Sequence, residues 1–180
     1  MSSFELIKKN GHLIMVEGDN LWALDTGSPA SFGNIETINI DGQTYSISES
    51  YMGLACETLS DNLGYTVSGL IGGDILSNYD TAWDCKNGKI IFSDKQLEPS
   101  GMEINIGFSV GIPTLRLLIE GSEQNWFFDT GANISYLVEQ PTAWKNPISL
   151  SISPVAKSWA SYDKKILKAI AEGSCNDVNS

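Results

Sequence analysis

Leu21-Trp22-Ala23-Leu24-Asp25-Thr26-Gly27-Ser28 and Trp126-Phe127-Phe128-Asp129-Thr130-Gly131-Ala132 carry one pattern twice, 104 residues apart. In each copy an apolar run leads into Asp-Thr-Gly, and a small residue follows the Gly. Such a run, closed by Gly, reads as a strand ending in a tight turn. A lone Asp-Thr-Gly could sit at any strand end; the matching flanks make this pair a repeat. Each residue type has a use in the turn. Asp supplies a reacting group, and Gly lets the backbone turn tightly and bring its N–H close to the carboxylate. The Thr hydroxyl can tie the two turns together. Two carboxylates held face to face can share one proton and activate a water molecule.

The pattern continues after the first copy. Gly69-Leu70-Ile71-Gly72-Gly73-Asp74-Ile75-Leu76 is followed by Tyr79-Asp80 and by Trp83-Asp84-Cys85-Lys86-Asn87-Gly88-Lys89-Ile90-Ile91-Phe92. Together these segments resemble the retropepsin and pepsin-like aspartic proteases, in which two apolar residues and a Gly precede a short helix and a closing strand. The resemblance covers residues 5–93 as one complete lobe and 102–138 as the opening of a second. It implies an all-β fold with short helices, built as β-barrel lobes in a pseudo-twofold duplication whose second copy is partial. It also implies an aspartic endopeptidase with Asp25 and Asp129 as the catalytic pair. Thr26, Gly27, Ser28, Thr130, Gly131 and Ala132 would support the turns, and Leu70, Ile71 and Gly72 would thread beside the first turn and buttress it. The partner implied is a peptide or protein substrate, with no cofactor and no metal. Both lobes in one chain make an intramolecular pseudo-dimer, hence a monomer; the alternative is a two-chain homodimer, as in the viral enzymes.

Composition narrows the remaining classes. A hydrophobic fraction of 42% supports a core, and 17 Gly among scattered Val, Ile, Thr and aromatics suit turn-rich β structure. The formal charge of −11 argues against nucleic acid or an anionic membrane surface as partner. No apolar run approaches membrane-span length, and Met1-Ser2-Ser3-Phe4-Glu5-Leu6 lacks a basic segment followed by an apolar core, so a cytoplasmic protein is expected. Cys56, Cys85 and Cys175 show no metal-ligand spacing and read as buried small side chains or bystanders. The one His, His12, follows a Gly in a hairpin turn with no Ser or Cys constellation around it. Gly69, Gly72 and Gly73 lack the Lys-Ser/Thr of a phosphate-cradling loop.

Along the chain, Phe4–Lys8 and His12–Glu17 form a hairpin over Asn10-Gly11, and Leu21–Leu24 is the strand ending at Asp25. Ile35–Ile40 and Thr44–Ile47 form a second hairpin around Asp41-Gly42. The segment from Asp41-Gly42 to Tyr51 is, by position, the hairpin flap that pepsin-like enzymes close over substrate. Cys56–Asn62 is a short helix or loop closed by Gly64, and Gly69–Asn78 a buried strand end feeding a short helix. Pro99-Ser100-Gly101 is the linker. The strands 104–110, 114–120 and 125–128 repeat the order that led to Asp25. These boundaries divide the chain into an N-terminal lobe (1–98), the start of a C-terminal lobe (99–140) and an atypical tail (141–180).

The tail breaks the repeat. Residues 1–140 are strongly acidic, whereas 141–180 hold more Lys than Asp and Glu and little Gly. Tyr162–Ala171 reads as a short basic amphipathic helix. Ile170-Ala171-Glu172-Gly173 is the nearest match to a second buttress, and it sets a carboxylate where the family has apolar packing. A truncated lobe, an altered reading frame and a degenerate family member all fit this tail. The function alternative is accordingly a weak or inactive protease-like module that binds extended peptides. One asymmetry is expected in the pair itself. Ser28 can donate a hydroxyl hydrogen bond to its carboxylate and Ala132 cannot, so Asp25 should carry more of the negative charge.

Overall fold

The computed structural model describes residues 1–98, 102–119, 122–132, 160–162 and 166–169. The linker Pro99-Ser100-Gly101, the weak buttress match Ile170–Gly173 and Cys175 lie outside them. The fold is mostly β. Strands β1 (Ser2–Lys9), β2 (His12–Glu17) and β3 (Asn20–Leu24) form a meander, followed by β4 (Phe32–Gly33). Two hairpins come next: β5 (Thr37–Ile40) with β6 (Gln43–Ser46), and β7 (Ser50–Tyr51) with β8 (Leu54–Ala55). Helix α1 (Cys56–Leu63), β9 (Gly69–Ile71), α2 (Gly73–Leu76), β10 (Asp80–Asp84) and β11 (Lys89–Ser93) complete the first half. A second meander, β12 (Met102–Ser109), β13 (Ile112–Ile119) and β14 (Ser122–Phe127), precedes β15 (Ala160–Tyr162) and β16 (Ile166–Ala169).

Twelve strands share one sheet in the order β14-β13-β12-β16-β15-β10-β11-β1-β2-β3-β9-β4, and β5-β6 and β7-β8 are separate two-stranded sheets. Among the described residues no sheet closes on itself, so the barrel expected for each lobe is instead an open sheet flanked by hairpins. Tyr162–Ala171 is also corrected. Residues 160–162 pair with β10 and 166–169 with β12, so the described residues of this stretch are extended where the sequence predicted a helix. Two open sheet edges offer backbone partners, and tertiary pairing then outweighs a weak local helical preference. No helix among the described residues is long and apolar enough to cross a membrane.

The meanders repeat in register. Leu6, Met15 and Trp22 lie opposite one another across β1-β2-β3, and Ile106, Leu115 and Trp126 do so across β12-β13-β14. Each Trp stands three residues before its Asp. The neighbouring row differs: Ile7, Ile14 and Ala23 become Gly107, Thr114 and Phe127. Because side chains alternate between faces, adjacent rows serve opposite sides of the sheet. In the first lobe both sides are buried. Met15, Trp22, Ile38, Ile75 and Phe92 belong to one cluster, while Ile14, Ala23, Phe32, Leu59, Leu63 and Leu70 belong to another. This explains why β2 and β3 read as continuous apolar runs. Helix α1 covers the second cluster with Leu59 and Leu63, one turn apart, and ends at Gly64, whose φ of 77° suits only a residue without Cβ.

The β5–β6 hairpin is pinned to the first cluster rather than free to move. Ile38 and Ile40 are buried, and the Tyr79 hydroxyl donates to the Ile40 carbonyl (2.8 Å) while accepting from the Tyr45 hydroxyl (2.8 Å). Tyr79→Phe is expected to cost about 1–2 kcal/mol, because the buried Ile40 carbonyl loses its donor. A lowered urea midpoint at unchanged slope checks it. The β7–β8 hairpin is different. Its strands are two residues long, Met52 at the tip is 89% exposed with φ 49°, and Gly53 follows with φ 82°. It is held at its base, where the Gly33 N–H donates to the Ser48 carbonyl and Tyr51 and Leu54 pack on the second cluster. Within the segment 41–51 expected to be the flap, Tyr45 packs against the first cluster, whereas Gly42, Gln43, Thr44 and Ser46 are exposed.

Candidate functional site

Strand β3 brings Asp25 to the site because β9 runs parallel beside it. Trp22 pairs with Gly69, Ala23 with Leu70 and Leu24 with Ile71, and the Asp25 N–H extends the ladder by donating to the Ile71 carbonyl (3.0 Å). Leu70, Ile71 and Gly72 thus stand beside the turn. Gly72 has a steric reason: a Cβ there would lie 2.8 Å from the carbonyl oxygens of both Ser28 and Ala30. The Gly73 N–H donates to the Ser28 carbonyl (2.7 Å) and ties the turn to the start of α2.

The two Asp-Thr-Gly turns meet. The Thr26 N–H donates to Thr130 Oγ1 (3.1 Å) and the Thr130 N–H to Thr26 Oγ1 (3.1 Å). Each hydroxyl then donates across the junction, Thr26 to the Phe128 carbonyl (2.6 Å) and Thr130 to the Leu24 carbonyl (2.8 Å). Each hydroxyl both donates and accepts, which explains why Thr rather than Val occupies both positions. The glycines complete the contact. A Cβ on Gly27 would run into the Asp129 carboxyl group, and one on Gly131 into the Asp25 carboxyl group. Each carboxyl group therefore lies over the other turn's Gly.

Within each turn the backbone grips one carboxylate oxygen. Asp25 Oδ1 accepts from the Gly27 (2.8 Å) and Ser28 (2.9 Å) N–H groups, and Asp129 Oδ1 from Gly131 (3.0 Å) and Ala132 (3.1 Å). The two carboxyl groups are within hydrogen-bonding reach of each other. Burial, and then the Asp129 charge, push Asp25 up to about 6 against the pull of its two N–H donors. The hydroxyl bond expected to favour charge on Asp25 is absent: the Ser28 hydroxyl donates to the Ala30 carbonyl (2.8 Å), closing the turn, and only the Ser28 N–H serves the carboxylate. Ser28→Ala is therefore expected to leave the acid limb of any pH–rate profile in place. A shift of that limb would show that the hydroxyl reaches Asp25 in solution.

Two polar residues given no part in the site by sequence reasoning, Ser31 and Asp74, meet directly behind the first turn. A signal for one of them was present. Ser31 follows Asp25 by six residues, Ser135 follows Asp129 by the same spacing, and an aromatic comes next in both copies. His12 is buried in the first meander, where desolvation lowers its pKa, and it takes no part in the site. A polar cleft bounded by Ser77, Tyr79, Asp80, Asp94 and Lys95 shares no residue with the paired turns. Comparison with protein-family models, curated proteins and solved structures finds no match for this chain.

Proposed function

We propose that this chain is an aspartic endopeptidase in which Asp25 and Asp129 activate water to hydrolyse a peptide bond. The observation that carries the reading is the reciprocal junction of the two turns, which holds two carboxyl groups within hydrogen-bonding reach. Two carboxylates so close share a proton and titrate as a pair. The ionised partner takes a proton from water as the oxygen attacks the peptide carbonyl. The protonated partner donates to the carbonyl oxygen and stabilises the charge developing there.

One observation favours the second reading, a weak protease-like module that binds extended peptides. Strand β3 is flanked by β2 and β9, whereas among the described residues β14 has β13 on one side and no strand on the other. A turn held from one side only is less rigid, and misplacement on the order of 1 Å costs about a hundredfold in rate.

The test is incubation of the full chain with a mixed peptide library from pH 3 to 7, with new termini read by mass spectrometry. Cleavage that rises and falls across this range fits a dyad sharing one proton. Retention of peptides without new termini at any pH supports the binding module and overturns the peptidase.

A further inference from the structure

The first turn is backed by a buried polar cluster that the proposed chemistry does not use. Ser31, 5% exposed, donates its hydroxyl to Asp74 Oδ1 (2.6 Å) and its N–H to Asp74 Oδ2 (3.0 Å). The same hydroxyl accepts from the Gly72 N–H (2.9 Å). Asp74 Oδ1 also accepts from the Ile75 N–H (3.0 Å). Both carboxylate oxygens are thus engaged, by three donors from two segments of chain. One segment, 25–31, is the turn itself; the other, 71–75, carries the carbonyl that receives the Asp25 N–H.

We propose that Asp74 is a positioning residue for Asp25. Through Ser31 it fixes the far end of the 25–31 turn, and so keeps the Gly27 and Ser28 N–H groups on the Asp25 carboxylate. The requirement is for a carboxylate, since an acceptor must face Ser31 N–H on one side and the Ser31 hydroxyl and Ile75 N–H on the other. An Asn must turn its NH₂ toward one of these donor sets, losing a bond and setting donor against donor. Among the described residues the device backs the first turn. Although the six-residue Asp-to-Ser spacing recurs at Asp129 and Ser135, Gly-Gly-Asp occurs once in the chain, at Gly72-Gly73-Asp74.

The test titrates the Asp25 carboxyl by carbon-13 NMR in the full chain, comparing wild type with Asp74→Asn, Ser31→Ala and Ser31→Thr. Asp129, the titratable group acting on Asp25, stays intact throughout. With looser N–H donors the charged form loses support, so Asp25 is expected to titrate higher by about half a pH unit in Asp74→Asn and Ser31→Ala. Ser31→Thr, which keeps the hydroxyl, is expected to match wild type. The kinetic arm rests on the peptidase reading: kcat falls at least about tenfold with KM little changed. A lowered unfolding midpoint with Asp25 titration unmoved in both Asp74→Asn and Ser31→Ala overturns the proposal and leaves Asp74 a purely structural residue. Ser31→Ala alone decides if Asp74→Asn does not fold. A titration shift in a chain that cleaves nothing upholds the positioning role while removing the peptidase.

Discussion

Asp25→Asn and Asp129→Asn are each expected to lower kcat/KM on any cleaved peptide by at least about 10³-fold, because an amide can neither take the proton from water nor return it. Asp25 has its folded pKa raised from 3.8 to about 6. The folded state therefore binds the proton more tightly than the unfolded chain. The stability this contributes is complete below about pH 4 and is lost as pH rises through 6. Asp25→Asn removes a group that is costly to ionise, so at pH 7 the inactive variant should melt higher than wild type, by up to about 3 kcal/mol. At pH 4 the difference should vanish. Thermal melts at the two pH values, run beside cleavage assays, check this. Activity surviving in Asp129→Asn would reduce the second turn to a scaffold. A lower melting point for Asp25→Asn at both pH values would show that the carboxylate is bound more favourably than its burial implies.

Gly27→Ala and Gly131→Ala are expected to be nearly as damaging to activity while leaving both carboxylates in the chain. Each new methyl group lands on the carboxyl group of the opposite turn. The turns must then separate by on the order of 1 Å, which costs about a hundredfold or more in rate. Overpacking should also lower stability by about 1–3 kcal/mol. Separation strains the threonine junction, so the loss of rate and the loss of stability arise together. Gly73→Ala is the matched control. Its Cβ would meet the Ser28 carbonyl at 3.4 Å and Pro29 Cα at 4.0 Å, ordinary contacts, and it begins a helix, where Ala is preferred over Gly. Steady-state kinetics and urea unfolding of the three variants suffice. Wild-type activity in Gly131→Ala would mean that the turns do not touch in solution as they do in this structure.

Much of the first lobe was legible because its information is local. Asn10-Gly11 and Asp41-Gly42 mark hairpins, and both Asn10 and Asp41 adopt the positive φ that their short polar side chains tolerate. Met52-Gly53 makes the same kind of turn with a residue that does not announce it, so the more exposed hairpin was merged with its neighbour. Helix α1 ends at the Gly64 expected to close it. The stretch 160–169 was misread because strand pairing depends on distant edges, and lysine spacing carries no record of them. The hydroxyl bond expected from Ser28 to Asp25 failed for a similar reason. Ser28 has a carbonyl two residues ahead as well as a carboxylate three behind, and only the folded turn chooses between them.

By itself the sequence determined the duplication, the two Asp-Thr-Gly turns with their tryptophan-led strands, and the apolar-apolar-Gly segment beside the first of them. Those are matters of residue type and spacing, which survive without coordinates. Only tertiary structure decided that each carboxyl group rests on the opposite glycine, that the threonines close a four-bond junction, and that Asp74 stands behind Asp25. These contacts join residues 43 to 106 positions apart. Their geometry follows from how the two ends of the twelve-stranded sheet come together, and no local pattern encodes that.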